Sequence, residues 1–298
     1  MAHKPHFYES RFLDRAAHLR QDDAWLRQQL SAVETRILPI WRNHVLVTAE
    51  AEPVLAMTSV TEMEIDLDDS AFLGLFDGTA HFAVDLSTHD EPPLGDIGEF
   101  LDLRAIGPRM EADEGALAAY ARGMLHWHRR HRFCGACGAP TESVWAGHKR
   151  HCTNPECGLD HFPRTDPAVI MLIHDGGDQA LLARAPSWPE GRHAVLAGFV
   201  EPCETLEQAV AREVFEEVGI EITDITYHSS QPWPFPSNIM LGFTARAVNK
   251  EIRLDQNEIA EARWMTRAEL RNSPEDESFA LPRRDSISYR LIEDWMNS

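Results

Sequence analysis

The 298-residue chain carries 28 Lys plus Arg against 48 Asp plus Glu, a net charge of −20 at pH 7. Its field repels phosphate, which excludes sequence-blind binding to duplex DNA or anionic lipid. A hydrophobic fraction of 43% excludes a wholly disordered or fibrous chain. Apolar runs such as 168–173 fall far short of the ~18 residues of a membrane span. The opening Met-Ala-His-Lys-Pro-His lacks an apolar signal-peptide core. A cytoplasmic protein is expected, and there five cysteines read as metal ligands or free thiols, not as a disulfide framework.

Residues 1–110 are acidic and weakly patterned. A helix is expected over 11–30, strands over 45–60 and 80–86, and a loop over 87–95. No motif stands out, and a small α+β domain over 1–130 that packs or dimerises is the plain reading. Residues 115–132 have helical periodicity. Their last turns carry His126, His128, Arg129, Arg130, His131 and Arg132, which suits the negative end of a helix dipole and reads as a solvated helix end. Further on, strands over 168–174 and 179–185 flank Gly176-Gly177-Asp178 as a hairpin. A strand over 193–200, a helix over 205–218, strands over 222–229 and 239–248, and a closing helix over 284–296 follow. Mixed strands with a few helices indicate an α+β or α/β layered domain, with α+β as the expected class.

Cys134, Cys137, Cys152 and Cys157 follow the spacing C-x2-C-x14-C-x4-C. Close pairs on two turns supply four thiolates to one tetrahedral ion, the arrangement of structural zinc. Gly138 and Gly158 follow the second cysteine of each pair and tolerate left-handed turns. His148, His151 and His161 lie nearby and leave the ligand set open. Cys203 reads as an ordinary free thiol.

The stretch 198–220, GFVEPCETLEQAVAREVFEEVGI, carries the chemistry. Thr205 and Gln208 form a capping box, and Gly219 sits at a helix terminator. Leu206, Val210, Val214 and Val218 make a core stripe. Glu213, Glu216 and Glu217 share one face at i, i+3 and i+4, with Arg212 placed to brace Glu216. Stacked carboxylates repel one another, and hard cations such as Mg2+ or Mn2+ relieve that. A solvated acidic face is the alternative for three glutamates taken alone. Downstream, Ser230-Gln-Pro-Trp-Pro-Phe-Pro-Ser-Asn238 alternates prolines with Trp233 and Phe235. Proline makes it a stiff, extended loop that can hold aromatic faces apart for stacking on a flat base; taken alone it reads as a core plug or a ligand for an SH3-like partner.

Gly198, Glu204, Arg212, Glu213, Val214, Glu216, Glu217, Gly219 and Ile220 fit the pattern G-x5-E-x7-R-E-U-x-E-E-x-G-U, where U is aliphatic. The chain thereby resembles the Nudix hydrolases. The four-cysteine ribbon and the Pro-aromatic segment, in this order, resemble the NADH pyrophosphatase subfamily, although Asn238 stands where that pattern ends in Ser. The resemblance implies a Nudix fold, a mixed β-sheet sandwiched between helices, over 163–298. A zinc ribbon over 131–162 and the N-terminal α+β domain would precede it. It implies Mg2+- or Mn2+-dependent hydrolysis of NADH, and of NAD+ less well, to NMN(H) and AMP, and removal of NAD caps from RNA 5′ ends.

By the same resemblance Glu213 and Glu217 are metal ligands, and Glu216 is a ligand or the water-activating base. Glu204 supports the loop–helix join. The Ala197 carbonyl and Glu258, with Glu261 as rival, complete the metal site. Phe162, Gln231, Pro232, Trp233, Pro234, Phe235, Pro236, Ser237, Asn238 and Ser288 are expected to bind substrate, and a homodimer is expected. ADP-ribose or a dinucleoside polyphosphate is the alternative substrate. A zinc-ribbon nucleic-acid-binding protein with an inert Nudix domain is the alternative class.

Overall fold

The computed structural model describes residues 5–48, 52–63 and 65–298. The chain divides into two compact units. One comprises Phe7–Thr165 together with Trp233–Ser237; the other comprises residues 5–6, Asp166–Pro232 and Asn238–Ser298.

The first unit holds strands β1 (Leu13–Asp14), β2 (Arg36–Trp41), β3 (His44–Val47), β4 (Thr58–Ser59), β5 (Ser70–Phe76), β6 (Thr79–Asp85) and β7 (Glu99–Asp102). They form one sheet of order β1-β5-β6-β2-β3-β7, with β4 beside β2 and a parallel pairing of β2 with β6. Helices α1 (Asp23–Gln29) and α2 (Leu103–Ile106) are short; α3 (Ala112–Arg130) is long. Leu117, Ala121 and Leu125 of α3 recur every four residues and pack with Leu38, Ile40, Val45 and Leu73 of the sheet.

Strands β8 (Thr141–Val144), β9 (Lys149–Cys152) and β10 (Asp160–His161) form the antiparallel ribbon. The ribbon is tied to the N-terminal sheet within one unit. The Phe72 amide donates to the Ala146 carbonyl at 2.9 Å, and His148 Nε2 lies 2.7 Å from the Phe72 carbonyl. Between them Gly147 has φ 89°, and a Cβ there would come within 2.8 Å of Ala71. A side chain would force the two sheets apart.

The second unit holds β11 (Asp166–His174), β12 (Gln179–Arg184), β13 (Leu196–Phe199), β14 (Ile222–Trp233), β15 (Asn238–Ala247) and β16 (Glu261–Thr266), with α4 (Leu206–Val218), α5 (Arg267–Arg271) and α6 (Ile287–Asn297). The sheet order is β14-β15-β11-β12-β16, with β13 on β11, and β11 runs parallel to β15. Alternation along β11 explains the layers. Val169, Met171 and Ile173 pack with Val210, Val214 and Val218 of α4, whereas Ile170 and Leu172 pack with Ile287, Leu291 and Trp295 of α6. A mixed sheet thus lies between helices, as expected.

Several expected elements differ. The helix expected over 11–30 is β1, a 3-10 turn and α1, because Ala16 adopts φ 41° and Asp22 starts a new helix by capping Trp25 N. The strand expected over 45–60 is β3 and β4, and its positions 49–51 lie outside the described residues. The basic end of α3 is a joint and not a solvated end. His128 bridges the Gly147 carbonyl at 2.7 Å and Arg150 at 3.0 Å, and Arg129 pairs with Asp85 at 2.9 Å. Burial pushes His128 down to about 4, so it serves as a neutral imidazole. The Pro-aromatic loop is also shorter than expected. β14 continues to Trp233, and the chain turns only over 234–237 before β15.

Candidate active site

Helix α4 starts where its sequence says it should. The Thr205 hydroxyl accepts from Gln208 N, the Gln208 side chain accepts from Thr205 N, and Gly219 closes the helix at φ 69°. The valine stripe buries one side of α4, which leaves the glutamates at the rim of the packed face. Glu213 and Glu217 are only 8% and 6% exposed. Glu258 is carried to them by the chain after β15. The Arg253 amide donates to the Val218 carbonyl at 2.8 Å, and the Asp255 amide to the Glu217 carbonyl at 3.1 Å. A carboxylate oxygen from each of Glu213, Glu217 and Glu258 lies within 4.8 Å of the others.

Three carboxylates that close, two of them buried, cannot all ionise without compensation. Burial first, then Glu213, Glu258 and Glu216, push the Glu217 carboxyl up to about 8. Burial also raises Glu213, against the pull of Arg212. Glu217 Oε2 is buried without a hydrogen-bond partner. An all-oxygen donor set with an unsatisfied buried oxygen fits a hard divalent cation.

Arg212 organises the approach to this trio. It clamps Glu204 bidentately at 2.7 and 2.8 Å and donates to the Phe199 carbonyl at 2.9 Å. It also reaches Glu213 and Glu216 at 2.9 Å each. Glu204 is held down to about 2, chiefly by that guanidinium, and so remains an ionised anchor between loop and helix. Glu216 is turned to Arg212 and exposed, outside the trio. Glu261 is elsewhere, 3.5 Å from His193 and 3.8 Å from Arg263, so Glu258 takes the position its rival was also considered for.

Gly198 has a role that spacing alone does not reveal. A Cβ on it would lie about 2 Å from the Glu213 carboxylate, at 1.9 Å from Cδ. Ala197, the expected carbonyl ligand, precedes it on β13 opposite Ile170. Gly198→Ala must therefore displace the Glu213 carboxylate while leaving the sheet intact. We expect kcat/KM to fall about 100-fold with the melting temperature nearly unchanged, checked by kinetics and calorimetry.

The thiols also converge. Cys134 Sγ lies 3.8 Å from Cys157 Sγ, and Cys137 Sγ 3.4 Å from Cys152 Sγ. A tetrahedron with Zn–S bonds of about 2.3 Å has edges of about 3.8 Å. The amides of Cys137 and Ala136 point at Cys134 sulfur and lower its pKa; the amide of Ala139 helps bring Cys137 to about 7. The first turn thus favours thiolates before any ion arrives, whereas burial pushes Cys152 up to about 12. Two of the nearby histidines are engaged elsewhere, His148 with the Phe72 carbonyl and His151 with Asp160 at 2.7 Å, whereas His161 hydrogen-bonds to Cys134.

The expected substrate residues separate. Phe162 is 58% exposed, 6.4 Å from Trp145. Trp233 and Phe235 are not held apart as open faces: their centroids are 5.1 Å apart at 71°, and both contact Tyr8 edge-on in the core of the first unit. Their apolar rings collapse into that core because burying them is worth more than stiffness in the turn. Gln231 is fully buried, donating to the Asp285 carbonyl and accepting from Ile287 N at 2.7 Å each, which fixes the start of α6. Ser288 is buried and accepts from Val195 N at 3.3 Å. Pro232 and Pro236 are exposed, and Ser237 and Asn238 are half-buried.

Comparison with known proteins agrees with this layout. A family model described as the NUDIX domain matches residues 164–285. One described as the NADH pyrophosphatase zinc ribbon domain matches 129–162, and one described as the NADH pyrophosphatase-like rudimentary NUDIX domain matches 34–127. The chain is 38% identical, over 95% of its length and 92% of the relative's, to "NAD-capped RNA hydrolase NudC" of Mycobacterium bovis. It is 40% identical, over 63% of its length and 43% of the relative's, to "NAD-capped RNA hydrolase NUDT12" of Homo sapiens. A crystal structure of a NUDIX hydrolase from Nitrosomonas europaea aligns with a TM-score of 0.44 and 20% identity, covering 56% of this chain and 90% of that one.

Proposed function

The chain belongs to the Nudix hydrolases of the NADH pyrophosphatase type, and from that premise we propose that it hydrolyses the diphosphate of NAD(H), both free and as the 5′ cap of RNA. Water adds at phosphorus and the anhydride bridge breaks. The products are NMN(H) and AMP, or NMN and an RNA with a 5′ monophosphate. The observation that carries this reading is the approach of Glu213, Glu217 and Glu258 to within 4.8 Å of one another.

Glu213, Glu217 and Glu258 would hold Mg2+ or Mn2+, with the Ala197 carbonyl beside them. Such an ion supplies Lewis acidity and offsets the charge that develops on the diphosphate. It also lets a chain of net charge −20 accept an anionic substrate. Arg212, fixed by Glu204 and Phe199, keeps Glu213 oriented. Glu216, the box carboxylate left outside the trio, is the proposed water-activating base. Glu216→Gln should lower kcat about 100-fold while the Mn2+ concentration for half-maximal rate stays the same.

The test is purified protein with NADH and Mn2+, products separated by chromatography, alongside ADP-ribose and diadenosine polyphosphates. AMP and reduced NMN formed fastest from NADH support the proposal. Intact NADH beside cleaved ADP-ribose would move the chain to another Nudix specificity. No cleavage of any of them would leave the inert-domain reading.

A further inference from the structure

The tip of the Pro-aromatic segment belongs to the same compact unit as the N-terminal domain. What holds it there is α3. Arg122 is 9% exposed and donates to the Pro234 carbonyl; its guanidinium lies 4.8 Å over the Phe235 ring, and its Nε donates to the Asn43 carbonyl at 3.2 Å. The next residue, Gly123, faces Pro234, whose Cβ would be in ordinary contact, at 3.6 Å, with a Cβ built there, so a branched side chain would crowd it. Tyr8 closes the aromatic group from the other side. A cation with so little water around it is costly unless its donors and its face are used. Here one plane satisfies two carbonyls and stacks on a ring, geometry that a guanidinium provides and an ammonium does not.

We propose that Arg122 is a positioning residue for dinucleotide recognition: it sets the turn Pro234–Phe235. The N-terminal domain, which shows no carboxylate trio among its described residues, would thus contribute to substrate binding by fixing that turn. This rests on the reading that the segment binds NAD(H). A residue acting through the turn alters how well the substrate is held more than how fast the held substrate reacts.

The experiment measures NADH hydrolysis with Mn2+ for the wild type, Arg122→Met and Arg122→Lys. Arg122→Met is expected to raise KM about 10-fold with kcat within about twofold and an unchanged Mn2+ requirement. Arg122→Lys, which keeps the charge and one donor, should recover part of the KM. Gly123→Val keeps Arg122 but crowds Pro234, so it should raise KM as well; it decides the matter if Arg122→Met does not fold. KM within about twofold of wild type in Arg122→Met, or in Gly123→Val where that variant decides, overturns the inference alone. A general loss of kcat together with a shifted Mn2+ requirement also overturns it, because that is the signature of a damaged fold. A wild type inert toward NADH overturns the functional reading and this inference with it.

Discussion

Glu217→Gln is expected to lower metal-dependent turnover by about 1,000-fold and, at the same time, to stabilise the metal-free protein at pH 8. Both effects come from one buried oxygen. Glu217 is pushed up to about 8 by burial and by its carboxylate neighbours, whereas in the unfolded chain it ionises near its ordinary value. Between about pH 4.5 and pH 8 the folded state therefore binds a proton that the unfolded state has lost. The metal-free protein must lose stability as pH rises through that window. The penalty is absent below it and complete above it. Gln carries no charge at any pH, so the variant should be about 1–2 kcal/mol more stable at pH 8 and little different at pH 5. Denaturant melts at both pH values with chelator present check this. A destabilised variant at pH 8, or one that keeps its turnover, would show that Glu217 does not share a cation with Glu213 and Glu258.

Cys152→Ser should remove zinc and loosen the first unit well beyond the ribbon. Cys152 is buried within 3.4 Å of Cys137, and three thiolates with a hydroxyl hold zinc far less tightly than four. The segment has little core of its own, so metal binding is its folding free energy. The loss spreads because the Phe72 amide and carbonyl are both engaged by the ribbon, through Ala146 and His148. We expect about one zinc per chain in the wild type and close to none in the variant. The melting temperature should drop by more than about 10 °C, comparable to losing several kcal/mol. Elemental analysis and calorimetry measure both. A zinc-free variant that melts like the wild type would mean the ribbon stands by other contacts.

How much was legible in the sequence follows from how local each signal is. Helix α4 was legible almost to the residue, because Thr205, Gln208 and Gly219 mark its ends and its valines mark its buried face. The four cysteines were legible for the same reason. Sequence spacing fixed which glutamates share a helix face, but not that Glu216 turns to Arg212 while Glu258 joins the trio; that depends on the path of the chain after β15. The N-terminal sheet was mostly illegible. Strands such as β5 are buried on both faces, so Ser70–Phe76 has no alternation to announce it, and β2 pairs with β6 across more than forty residues. Proline stiffness is local and could not decide between an open aromatic loop and a core plug, because the partners of Trp233 and Phe235 are Tyr8 and Arg122, far away in sequence.

The shared cation can be seen directly. Crystals grown with Mn2+ and examined at the manganese edge should show an anomalous peak with Glu213, Glu217 and Glu258 oxygens at about 2.0–2.3 Å, and that peak should vanish in Glu217→Gln. Manganese bound elsewhere, or no peak beside these three residues while the crystals still cleave NADH, would contradict the account.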